Sequence, residues 1–108
     1  MKKNGAYHNL FSPIKLCNRE IRNRVALTAT LTNFGRDNAV TDRWISFLVE
    51  RARGGVGLLI SEVIAVDPEA LAQQAIVTGF DERNEVGFRE TARQVDAAGG
   101  ALLGQLWH

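Results

Sequence analysis

Hydrophobic and polar residues along this chain follow two rhythms, one of period two and one of helical period, in alternation. Residues 10–24 carry two short apolar runs around the polar turn Cys17-Asn18-Arg19. Ile14 and Leu16 alternate with polar neighbours, and Ile21 resumes the pattern, which predicts a small β-hairpin. Leu10, Phe11 and Pro13 form an apolar anchor ahead of it. Residues 25–31 read VALTATL and carry no charge, as a strand covered on both faces should. The loop Asn33-Phe34-Gly35-Arg36-Asp37-Asn38 is rich in turn formers. Thr41 then offers a helix N-cap, with Asp42 complementing the positive end of the dipole. Trp44, Ile45, Phe47, Leu48 and Ala52 share one helical face. Arg51 and Arg53 suit the last turn, and Gly54 the C-terminal cap.

The alternation then repeats. Residues 56–60 form a second strand ending at Ser61-Glu62-Val63, and Asp67-Pro68-Glu69 marks a turn. Residues 70–75 read as a short helix or an ordered loop. Asp81 opens a second helix, with Phe88, Ala92 and Val95 at i, i+4 and i+7. Gly99-Gly100 ends it, and residues 101–106 form a third strand. A hairpin followed by strand, loop and helix in repetition predicts an α/β protein. Because the last residues, Gln105-Leu106-Trp107-His108, follow directly on a strand, the pattern reads as part of a larger alternating protein.

Composition narrows the classes. A length of 108 residues with 45% hydrophobic content fits one soluble domain. Thirteen basic and twelve acidic side chains leave a net charge of +1, with no basic footprint for a nucleic acid. Lys2 and Lys3 are followed by polar residues rather than the apolar core of a signal peptide. No run approaches the ~18 apolar residues of a membrane span. The single Cys17 excludes an internal disulfide and a cysteine-based zinc site. The expectation is a cytoplasmic protein that binds neither nucleic acid nor membrane.

Candidate chemistry gathers where strands end. Thr28, Thr30, Thr32 and Asn33 close the first strand, Ser61 and Glu62 the second, and Gln105 and His108 the third. In parallel α/β barrels, sites form at the C-terminal ends of the strands. For any one residue a structural role stays open: Thr and Ser can satisfy loop backbone, and Glu62 can pair with a buried arginine. The run Gly54-Gly55-Val56-Gly57 follows a helix and opens a strand, the reverse of a dinucleotide-binding turn, and reads as a tight αβ connection. Cys17 sits in the hairpin turn with no activating base nearby and reads as an incidental thiol. No Ser/His/Asp set assembles, and two histidines in separate segments make no metal site.

Three blocks, NREIRNRVALTATLTNFG, TDRWISFLVERARGGVGLLISEVIAV and AAGGALLGQLWH, resemble the N-terminal part of the old yellow enzyme family, from about residue 10 to residue 108. The nearest group is the NADH:flavin oxidoreductases, including 2,4-dienoyl-CoA reductase and trimethylamine dehydrogenase. The resemblance implies a TIM (β/α)8 barrel, of which residues 1–108 would be the N-terminal portion: the hairpin and about three βα units of a single FMN-binding domain. It implies FMN at the C-terminal face and hydride transfer from NADH or NADPH to an activated enone- or enoyl-like, or amine-type, small-molecule substrate. Thr28, Ala29, Thr30 and Leu31 would lie along the flavin ring, and Val63 would give the second strand's backbone contact. Gln105 would hydrogen-bond the pyrimidine edge, since its amide donates and accepts at once. Trp107 and His108 would line the substrate cavity.

The chain departs from the family pattern at three positions: Ala29 replaces a frequent proline, Leu31 a Thr or Cys, and Cys17 a glycine. The family's substrate-binding His-His or His-Asn pair, its active-site tyrosine and its FMN-phosphate loops would fall beyond residue 108. Residues 1–108 alone are therefore expected to be inactive, unstable as a monomer and unable to hold FMN tightly. No residue marks the iron–sulfur cluster or second dinucleotide domain of longer members. A cofactor-free α/β interaction module and a flavin-free phosphate-binding barrel are the alternative readings.

Overall fold

A computed structural model describes residues 5–108; the Lys2-Lys3 pair lies outside the described residues. A 3-10 turn, Gly5–Tyr7, leads into the single-turn helix α1, His8–Phe11. Strands β1, Ile14–Leu16, and β2, Arg19–Ile21, pair antiparallel with Ile14 opposite Ile21. The expected hairpin is present, and its turn residue Cys17 has φ 52, a left-handed conformation that favours glycine. The expected apolar anchor is weaker. Leu10 and Pro13 are exposed, and the N-terminal segment is tied instead by the Arg24 N–H donating to the Leu10 carbonyl at 2.9 Å.

The main sheet is parallel and centred on β4, Leu58–Ala65. Along one edge runs β6, Ala101–Trp107, for the full length of β4. The other edge is shared: β3, Ala26–Leu27, pairs with Leu58–Leu59, and β5, Val77–Thr78, pairs with Ile64–Ala65. The strand expected over residues 25–31 thus shrinks to two residues. β5, an additional short strand, pairs further along the same edge of β4, and residues 28–32 lie outside the ladder between the two.

Helices α2, Asp42–Arg53, and α3, Glu85–Ala97, cover one face of this sheet. The Thr41 hydroxyl caps α2 by accepting the Trp44 N–H at 3.1 Å. Trp44, Ile45, Leu48, Val49 and Ala52 then pack with Leu59, Ile64 and Val95 in one core. Burial of each large member contributes roughly 1.5–3 kcal/mol. On α3 the buried positions are Thr91 and Val95, whereas Ala92 is exposed. Thr91 tolerates burial because its hydroxyl donates to the Gly87 carbonyl at 2.7 Å. Asp81 caps a 3-10 turn, Glu82–Asn84, that precedes α3 rather than α3 itself.

Both helices end alike. Gly55, with φ 107, donates to Ala52 while Val56 donates to Arg51; Gly99, with φ 87, donates to Asp96 while Gly100 donates to Val95. These paired bonds close each helix before its strand, which makes the glycine run an αβ connection as expected. Gly54 is the C-cap of α2, as expected, and the left-handed residue is Gly55 directly after it. Arg22 completes this end of the molecule. Its guanidinium donates to the carbonyls of Ala52 at 2.5 Å, Val56 at 2.9 Å and Ala98 at 2.8 Å. No described helix is long and apolar enough to cross a membrane.

Candidate functional site at the strand ends

The C-terminal ends of β3, β4 and β6 meet at the opposite end from Arg22, where the helices begin. Side chains alternate between faces along a strand. In β6, Leu102 packs toward the helix core, so Leu103, Gln105 and Trp107 point to the face away from the helices. Gln105 is exposed, and its side-chain amide has no hydrogen-bond partner among the described residues. Its neighbour in register is Val63, half-buried, and Trp107 stands opposite Ala65.

Between these pairs the ladder is irregular. Ile60 pairs with Leu103 and Val63 with Gln105, so Ser61 and Glu62 together face the single residue Gly104. This β-bulge shifts the phase of β4: Leu59 and Ile64, five positions apart, both join the helix-side core. Ser61 repairs the ladder. Its Oγ accepts the Gln105 backbone N–H at 3.2 Å and donates to the Glu62 carbonyl at 2.8 Å. Glu62 is buried, and its partner is Thr32 rather than an arginine: Thr32 gives it both the backbone N–H, at 3.3 Å, and the hydroxyl.

Residues 28–31 run past the end of β3. Thr28 and Thr30 are exposed, Ala29 is half-buried and Leu31 is 48% exposed. The Thr30 hydroxyl donates to the Thr28 carbonyl at 3.3 Å. Among the described residues, no backbone N–H or C=O of residues 29–31 has a partner. A chain segment beside strand ends with every polar group open needs water or a ligand to satisfy it.

The surrounding loop is fixed by contacts between its turn residues and partners distant in sequence. Asp37 and Asn38, with φ 52 and 58, form a tight two-residue turn closed by Arg36 and Ala39. The Asn38 amide donates to the carbonyls of Gln73 and Ile76, at 3.0 and 2.7 Å. Buried Asn84 donates to the Asn38 carbonyl at 2.9 Å and accepts the Val40 N–H at 2.9 Å. The Gln73 amide donates to Asn33 Oδ1 at 2.8 Å. The Asn-rich composition of the loop signals turns, but nothing in sequence links Asn38 to Asn84 across 46 positions.

His108 is exposed. One of its ring nitrogens and one carboxyl oxygen each of Asp67 and Glu69 lie within 4.8 Å of one another, at the ends of β6 and β4. Cys17 is exposed in the hairpin turn.

Comparison with known proteins places this architecture. Residues 9–108 match the model of the NADH:flavin oxidoreductase / NADH oxidase family. The chain belongs to that family. It is 36% identical over 104 residues to an NADH oxidase of Thermoanaerobacter brockii, covering 94% of this chain and 16% of the relative. Among solved structures, a 2-naphthoyl-CoA reductase in complex with 2-naphthoyl-CoA superposes with a TM-score of 0.90 at 32% identity, covering 94% of this chain and 16% of that one. An old yellow enzyme from Pichia sp. AKU4542 gives 0.85 at 28% identity, covering 93% and 26%. The chain therefore spans between 16% and 26% of the length of these proteins. Within the NADH:flavin oxidoreductase family, β3, β4 and β6 are the opening strands of a TIM (β/α)8 barrel, with the hairpin ahead of them.

Proposed function

We propose that this chain forms part of the FMN-binding face of an oxidoreductase that moves hydride from NADH or NADPH to a small activated substrate. In this reading residues 1–108 contribute to a single barrel domain, and the protein works in the cytoplasm. One observation carries it. The free amide of Gln105 stands at strand ends together with the unpaired backbone of residues 29–31. The isoalloxazine pyrimidine edge alternates carbonyl acceptors with a ring N–H donor. A carboxamide can donate to one and accept from the other, which no single hydroxyl, carboxylate or ammonium group achieves in the same plane. The donor set therefore fits FMN.

When bound, FMN supplies the two-electron redox chemistry, and the protein supplies orientation and tuning. Gln105 would hold the pyrimidine edge. Thr28, Ala29, Thr30 and Leu31 would lie along the ring, with Val63 beside Gln105 on the next strand. Trp107, on the same face as Gln105, would border the substrate cavity with His108. The similar proteins include an NADH oxidase and a 2-naphthoyl-CoA reductase, which supports a nicotinamide reductant and an enone- or enoyl-like acceptor.

Titration with FMN of the full-length protein that carries these residues, followed by quenching of flavin fluorescence, tests the reading. Saturable binding is expected, and Gln105→Ala should weaken it on the order of tenfold by removing the partner of a buried polar edge. Absence of any FMN binding by the wild-type protein would overturn the proposal. Unchanged affinity in Gln105→Ala would remove Gln105 from the site.

A further inference from the structure

Residues 28–32 leave the sheet after Leu27, yet their far end is fixed. Glu62, 5% exposed, sits in the β4 bulge and accepts two hydrogen bonds from one residue. Its Oε2 takes the Thr32 backbone N–H at 3.3 Å, and its Oε1 takes the Thr32 hydroxyl. Thr32 Oγ1 in turn accepts the Phe34 N–H at 3.1 Å. The stretch between Leu27 and Thr32 is thus a short bridge between two hydrogen-bonded supports, the β3 ladder and this clamp. The backbone groups of Ala29–Leu31 have no hydrogen-bonded tie among the described residues.

A buried carboxyl group without an ion pair is an expensive choice for a strand that needs only packing. Among the described residues Glu62 forms none of the ion pairs. Both oxygens are aimed at Thr32, so the group serves to place that residue. The bulge is what makes this geometry available, because an extra residue in a strand re-aims the side chains around it. Gln105 is held by the same irregularity, through Ser61. One local feature therefore supports both flanks of β4 at this end: the Gln105 backbone on β6, through Ser61, and the segment that carries residues 29–31, through Glu62 and Thr32.

We propose that Glu62 is a positioning residue for the flavin. Acting through Thr32, it fixes how far the backbone of residues 29–31 stands from Gln105, and so the slot that the isoalloxazine edge enters. This rests on the FMN reading above.

Hydrogen exchange on the protein without flavin reads the clamp, and flavin binding reads its consequence. Glu62→Leu should speed exchange of the Thr32 amide on the order of tenfold and weaken FMN binding by a similar factor. It should also shift the visible absorbance of bound flavin. Glu62→Gln can still accept from the N–H and donate to the hydroxyl oxygen, and should stay within about threefold of wild type in both measurements. Thr32→Val should lose part of the effect and Thr32→Ser should not; if Glu62→Leu fails to fold, this pair carries the same comparison. Unchanged Thr32 exchange in Glu62→Leu or Thr32→Val overturns the clamp. Faster exchange with unchanged FMN affinity and spectrum overturns the positioning role. A wild-type protein that takes up no FMN would overturn the flavin reading instead, while the exchange measurements still decide the clamp.

Discussion

Ser61 Oγ accepts the backbone N–H of Gln105 across 3.2 Å, at the one irregular step of the β4–β6 ladder. A main-chain donor that the bulge deprives of a main-chain acceptor is met by a side chain, and the residue so held carries the free amide at the strand ends. Ser61 is 1% exposed, so no water replaces it cheaply. Ser61→Ala should lower stability by about 1–2 kcal/mol in denaturant unfolding, because the Gln105 N–H is left unsatisfied. Exchange at the Gln105 amide should accelerate. Stability within error of wild type would show that the ladder closes without the hydroxyl.

Leu31 marks a tunable position. The Thr30 hydroxyl is already engaged with Thr28, and the Thr32 hydroxyl with Glu62, whereas Leu31 is 48% exposed and offers no donor. Under the FMN proposal, a hydroxyl at this position would donate to the flavin O4 region and favour the electron-rich reduced ring. One such bond contributes roughly 0.5–1.5 kcal/mol, which for a two-electron couple corresponds to roughly 10–30 mV. Potentiometry on Leu31→Thr should show the midpoint potential raised by that amount, with Thr30→Val unchanged. A shift in Thr30→Val alone would place the flavin one residue away.

Arg22 closes the other end of the molecule. Its three carbonyl partners belong to the C-terminal turns of α2 and α3 and to the start of the second strand segment. A lysine keeps the charge but loses the planar fork that reaches all three. Arg22→Lys should therefore cost about 1–3 kcal/mol, read as a lowered melting temperature. FMN affinity, if the reading above holds, should change far less than stability.

Cys17 holds a left-handed turn at φ 52 in a β-hairpin. A non-glycine residue there carries about 1–2 kcal/mol of strain, offset partly by the larger entropy loss of glycine on folding. Cys17→Gly should raise stability by roughly 0.5–1 kcal/mol. Cys17→Ala should not, and a stabilising alanine would mean that the thiol rather than the backbone is at fault.

Much of this architecture is legible in the order of residues. Helix α2 follows from the Thr41 cap and the apolar repeat from Trp44 to Ala52, because both signals are local. The glycine connections are legible for the same reason. What escaped depends on partners far away in sequence. β3 pairs over two residues only and β5 takes a later stretch of the same edge of β4, and no window around residues 25–31 contains that pairing. Thr91 was passed over as polar, although its hydroxyl is satisfied within its own helix. At the candidate site, Gln105 could be named from its motif, but Ser61 and Glu62 acquire their roles only through the bulge.

The bulge also makes strand length a constraint separate from strand composition. Leu59 and Ile64 reach the helix-side core although five residues separate them, and a regular strand would send Ile64 to the opposite side. Removing either Ser61 or Glu62 would leave the strand just as apolar and just as β-prone. It would nevertheless abolish the bulge: Ile64 would then lie four residues after Leu59, so Val63 and Ile64 would keep their faces in a regular ladder while the Ser61 bond to Gln105 or the Glu62 bonds to Thr32 would be lost. In this segment a single-codon deletion would spare both surfaces and remove the site's support, whereas regular pairing of the full-length strand would exchange the surfaces.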